Sequence, residues 1–163
     1  MGRVYLLEIC NKEGIPDVFG IEIKKSIRET GIPEIESVLT SDLYHFEGDL
    51  SSEDITKIAE DVLLDGVIQE YFLGDENIKR RGLEYPVVID VFYKKGVTDA
   101  VADTVSIAIK DAGIKKDVKV STGKRYYLKG QFNREELEKI CDKVLANRLV
   151  QEYSINILEE KNG

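Results

Sequence analysis

Strand-like and helix-like hydrophobic periods take turns along this chain, in the same order in each half. Arg3–Asn11 is rich in β-branched and aromatic residues and is bounded by Asn11 and Gly14, so it predicts a strand. Tyr5, Leu7 and Ile9 share one face; Val4, Leu6 and Cys10 share the other with Glu8. Both faces are largely apolar, as expected of a strand covered on both sides. Asp17 then supplies a helix N-cap, Phe19, Ile23 and Ile27 fall on one helical face, and Gly31 closes the helix. Residues 35–39 and 43–47 read as two strands around Thr40-Ser41-Asp42. Ser51 with Asp54 forms a capping-box pair ahead of Ile55, Ile58, Ala59, Val62 and Leu63, which make an amphipathic stripe. Residues 67–73 return as a strand.

The second half repeats this plan. Val87–Tyr93 is a strand, Asp99 opens a helix carrying Val105 and Ile109, and Gly113 closes it. Residues 118–121 and 124–130 flank Thr122-Gly123, a hairpin-like turn signal. Asn133 and Glu136 repeat the capping pair, and Leu137, Ile140, Cys141, Val144 and Leu145 repeat the stripe. The last strand sets Tyr153, Ile155 and Ile157 against Glu152, Ser154 and Asn156. Seven of fifteen positions are identical between residues 57–71 and 139–153, at an offset of 82. The same offset pairs Gly14 with Gly96, Asp17 with Asp99, Gly31 with Gly113, and Tyr44 with Tyr126. Two copies at this period point to two small units rather than a solenoid.

The expected fold is therefore α+β: two tandem βαββαβ repeats, residues 1–73 and 87–163, joined by a charged, glycine-punctuated linker at 74–86. Each repeat would form a four-stranded, largely antiparallel sheet with two helices on one face. The other face, with Val4, Leu6, Cys10, Val88 and Phe92, would be costly to expose. The remedy expected from the pattern is that the two sheets pack on each other, helices outward, as a single-chain pseudo-dimer. A unit of about 70 residues is marginal alone, which favours a shared interface.

Composition narrows the function. Of 163 residues, 42% are hydrophobic and 33% charged, and the net charge is −8. An acidic chain lacks the field that nucleic-acid binding needs; the basic run Lys79, Arg80, Arg81 is short, and no aromatic-rich RNA-binding pattern sits on the strands. No stretch is long enough to span a bilayer, and Glu8, Asp17 and Glu22 interrupt any signal-like apolar core. A cytoplasmic protein is expected. Cys10 and Cys141 lie in apolar patterns without CxxC spacing and read as buried, reduced thiols.

Candidate chemistry is sparse. One histidine, His45, leaves no histidine-rich metal site, and no nucleotide, zinc-protease or nucleophile-elbow motif is present. No catalytic residue, metal or bound cofactor is expected of this chain. The Gln-Glu-Tyr triplets 69–71 and 151–153 open both last strands, either as a repeated junction or as a ridge for a partner.

Four stretches carry a family resemblance. Lys95-Gly96-Val97-Thr98-Asp99, the helix end from Ala108 to Gly113, Val118-Lys119-Val120-Ser121-Thr122-Gly123-Lys124, and the segment from Cys141 to Tyr153 follow in order and spacing. Together they resemble the PurS family, the small subunit of phosphoribosylformylglycinamidine (FGAM) synthase. The first half keeps Gly14, Asp17, Gly31, Gly48 and Gln69-Glu70-Tyr71, but has Ser41-Asp42 where the second has Gly123-Lys124. The resemblance implies a non-catalytic bridging subunit in purine biosynthesis, a covalently linked version of a dimer. Its implied partners are a synthetase subunit, which would carry ATP and Mg, and a glutaminase subunit whose ammonia must reach the synthetase. The implied partner-contact residues are Gly123, Lys124 and Arg125 on the hairpin, then Gln151, Glu152 and Tyr153. A rival reading is a tandem ACT-like module that binds small molecules, although Asn11-Lys12-Glu13-Gly14 supplies only one glycine to such a site.

Overall fold

The computed structural model describes residues 2–158. The ends of both expected repeats, Met1 and 159–163, lie outside the described residues. The elements are β1 (Arg3–Asn11), α1 (Val18–Glu29), β2 (Ile35–Gly48), α2 (Ser52–Lys57), β3 (Gln69–Leu73), α3 (Glu76–Arg81), β4 (Val87–Tyr93), α4 (Ala100–Asp111), β5 (Val118–Gly130), α5 (Arg134–Ile140) and β6 (Gln151–Ile157). The protein is α+β, but not with two four-stranded sheets. The described residues form one six-stranded antiparallel sheet in the order β3-β1-β2-β5-β4-β6, which maps onto itself under the 82-residue offset.

The expected strand pairs 35–39/43–47 and 118–121/124–130 are each one long strand. A two-residue hairpin of the expected type needs positive φ, and Gly123 is not among the glycines that have it; no non-glycine residue has it either. β2 instead pairs with β5 from Ile35↔Gly130 to Gly48↔Val118. The two halves therefore join edge to edge, not face to face. The turn-like residues sit mid-strand for separate reasons. A Cβ on Gly123 would lie 2.6 Å from the Val91 carbonyl oxygen and 2.8 Å from the Phe92 ring, so glycine is required by close packing. Thr40 and Thr122 are held by the carboxylates described below.

Helices from the two halves meet, which overturns the expected helices-outward sandwich. Ile23 and Ile27 of α1, with Ile35 and Val38 of β2, pack into a core made with Ile89, Tyr126, Leu128, Leu137 and Ile140 of the second half. In mirror fashion, Val105 and Ile109 of α4 join Leu7, Ile9, Phe46, Ile55 and Ile58 of the first half. Each half thus lends its first helix to the other's core. α2 and α5 continue into π-helical turns at Ile58–Leu63 and Cys141–Leu145, closed by Leu64 N–H to Ala59 O and Ala146 N–H to Cys141 O, both at 2.9 Å. Gly31 and Gly113 end α1 and α4 at φ +93° and +96°, a conformation that side chains resist.

The opposite sheet face is covered by the linker, which contains α3. Tyr85 OH and Ser37 Oγ share a hydrogen bond of 2.8 Å, and the Arg81 guanidinium lies 4.9 Å over the Tyr127 ring. Both cysteines are buried; burial raises the thiol pKa of Cys10 and pushes that of Cys141 up to about 12. The steric reading of Gly123 predicts that Gly123→Ala destabilises the protein by about 1–3 kcal/mol. A lower urea midpoint with unchanged far-UV circular dichroism is expected; an unaltered midpoint would contradict it.

Candidate partner-contact site at the sheet midline

At the sheet centre Asp42 pairs with Lys124 across β2 and β5, and the two numbers differ by the repeat offset. Counterpart residues thus face one another, and they carry opposite charge. Their side chains form an ion pair, each 39–47% exposed. The Lys124 Nζ also sits 5.0 Å from the Phe19 ring centroid, a cation–π contact. Phe19 leans on Tyr126, with ring centroids 6.3 Å apart. Burial, then the Asp42 charge, pushes the Tyr44 and Tyr126 phenols up to about 12, so both stay neutral.

Two carboxylates brace this midline. The Asp17 Oδ1 caps α1 by accepting from Gly20 N–H at 2.8 Å, and its Oδ2 accepts from Thr40 N–H at 2.6 Å; both oxygens also lie within 3.0 Å of Thr40 Oγ1. Asp99 repeats the arrangement on Ala102 N–H and on Thr122 N–H and Oγ1. The reason is local. The β1 rungs stop at Ile9↔Asp42 and the β4 rungs at Gly123, leaving the Thr40 and Thr122 amides beyond the ladder. A carboxylate at the helix entrance satisfies each of them.

Cavities flank the ion pair. One of about 260 Å³ lies between the start of α1 and β3, and its counterpart of about 370 Å³ lies between α4 and β6. The second brings together Gly123, Lys124 and Gln151, three of the residues expected from the sequence. Val18, Phe19 and Val101 stand exposed beside these cavities. The other expected residues go elsewhere. Glu152 is exposed on the opposite face, and Tyr153 donates to Asp142 Oδ1 at 3.0 Å. Gln151 Oε1 accepts from Asn147 N–H at 2.8 Å, as Gln69 Oε1 does from Asp65 N–H at 3.0 Å, so the repeated triplets build a turn after each π-helical segment.

Arg125 is not on an exposed hairpin. It is 3% exposed on the linker face, where its Nε and Nη2 grip both oxygens of Asp90 at 2.7 and 2.9 Å. Its Nη1 donates to Glu8 Oε1 at 2.6 Å. The other Glu8 oxygen accepts from Ser41, Asn77 and Tyr127, each at 2.6 Å. Burial alone would lower the Arg125 pKa; Asp90 and Glu8 outweigh it and hold it above its ordinary value. Burial, then Glu8, raises Tyr127 as well. Asn77 belongs to α3, so this buried network ties the linker to both halves. Asp42, the two Asp–Thr braces and Glu8 were not singled out as site residues from the sequence. The visible signals were the offset of 82 between Thr40 and Thr122, and the lone Glu8 on an apolar strand face.

Residues 86–159, spanning the second half from β4 onward, match the PurS model, described as phosphoribosylformylglycinamidine (FGAM) synthase. The second half is a PurS-family unit. Among curated proteins none matches the chain significantly. The PurS match ties the chain to FGAM synthase and purine biosynthesis. Among the described residues no helix is long and apolar enough to cross a membrane.

Two mutational outcomes follow from this geometry. Asp42→Lys or Lys124→Asp alone places like charges opposite one another and costs about 0.5–1 kcal/mol, and the double exchange restores the original stability. Thermal melts at low salt measure this; a double exchange no better than the singles would refute the pairing. Arg125→Met strands the buried Glu8 and costs about 3–5 kcal/mol, while adding Glu8→Gln recovers part of that loss. Urea titrations of the two variants check the order.

Proposed function

We propose that the chain is a non-catalytic bridging subunit of FGAM synthase, one chain standing in for a dimer of PurS units. The observation that carries this is the match of residues 86–159 to PurS, joined to a first half with the same order of elements at an offset of 82. The sheet order and the shared cores support a pseudo-dimer, since each half completes the other. In this reading the synthetase subunit binds ATP and Mg and makes the amidine, and the glutaminase subunit releases ammonia from glutamine. The bridging chain holds the two in register so that ammonia passes between them without reaching bulk water. Lys124, Gly123 and Gln151, together at the midline, are the proposed contacts for one partner. Arg125 acts behind them by fixing β5 against β1 and β4. No catalytic role is assigned to any residue here.

The test is amidine formation by the synthetase and glutaminase subunits of the same organism, with and without this chain. Glutamine-driven turnover is expected to require the chain, and ammonia-driven turnover to depend on it much less. Equal dependence of both rates, or none, would remove the bridging role.

A further inference from the structure

The linker makes the two outer-face clefts unequal. In the first half, the turn after β1 borders a cleft of about 360 Å³ closed on one side by Arg80, Arg81, Glu84 and Tyr85 of the linker. Each first-half residue lining that cleft has its counterpart, 82 positions on, in a cleft of about 640 Å³ after β4. No linker residue borders the second cleft. The first half therefore shows what this surface holds when occupied: a short helical segment laid across the sheet. That segment is basic, with Lys79, Arg80 and Arg81, and Arg80 Nη2 meets Glu70 at 3.0 Å.

The open cleft has been recharged. Lys95 replaces Glu13, Lys119 replaces Ser37, and His45 replaces Tyr127, the three positions at which the first half meets or adjoins its linker. Lys94 is retained from Lys12. All three lysines are exposed, and among the described residues none is in an ion pair. Three unpaired lysines on a chain of net charge −8 form a local field of the opposite sign. Phe92, whose ring packs over Gly123, supplies an apolar floor.

We infer that the open cleft is a docking surface for an acidic segment of a partner protein, and that one chain offers one such surface where a symmetric pair would offer two. Resting on the bridging reading above, the inference assigns the segment to the synthetase or the glutaminase subunit. Glu152, the counterpart of Glu70, adds that the segment carries one basic residue among its acidic ones.

The experiment is calorimetric titration of the full chain with each of the two subunits at low and high salt. It is run for the wild type, for Lys95→Glu/Lys119→Glu, and for Glu13→Lys as the control at the linker-closed cleft. Circular dichroism confirms the fold of each variant. One subunit is expected to bind at one per chain, to lose affinity about tenfold or more with the double reversal, and to lose most of its salt dependence with it. Glu13→Lys is expected to bind as the wild type does. Binding of both subunits unaffected by the double reversal would overturn this inference and leave the bridging reading standing. Two copies of that subunit per chain would also overturn it. Absence of binding by either subunit would overturn both.

Discussion

The pairing of β2 with β5 is the constraint on which the rest of the structure depends. It runs almost the full length of both strands, from Ile35↔Gly130 to Gly48↔Val118. It turns two three-stranded sheets into one six-stranded sheet. It also sets α1 and α4 on either side of the junction, where each reaches the other half's core. A face-to-face sandwich would have buried the outer faces of both sheets. The edge-to-edge joint leaves them uncovered, and the chain covers one with its own linker.

Charged groups fix what hydrophobic burial alone would leave loose. Apolar residues on both faces of β1 do not say which strand should lie beside it. The Glu8 carboxylate does, because its two oxygens are satisfied only when β2, β5 and α3 are all in place. Removing such a group from water is costly unless every bond is made, so the network penalises alternative registers. The Asp17 and Asp99 braces act similarly at the helix entrances, each coupling one helix start to one central strand.

Much of this was legible in the sequence. The helical stripes, the capping pairs, the glycines that end α1 and α4, and the 82-residue offset all correspond to elements of the structure. The long strands were not legible. Thr40-Ser41-Asp42 and Thr122-Gly123 have the composition of turns, and only the tertiary setting explains them. Phe92 fills the space above Gly123, Asp17 and Asp99 satisfy the threonine amides, and Asp42 with Lys124 faces the gap between helices. Arg125 was drawn into the expected contact set by its neighbours in the chain. Strand alternation sends it to the opposite face from Lys124, which separates residues that a hairpin would have grouped.

The shared cores also govern how the chain comes into being. The central rungs join residues about 70 to 95 positions apart, and contacts at such separations slow folding because loop closure precedes any reward. At ribosomal speeds of about 5–20 residues per second, β2 waits roughly 4–16 s for β5 to be synthesised. Through that interval Ile23 and Ile27 have no completed core to enter, and the edge of β2 is unpaired. The nascent first half is thus exposed to aggregation, and native burial arrives late, when the second half emerges.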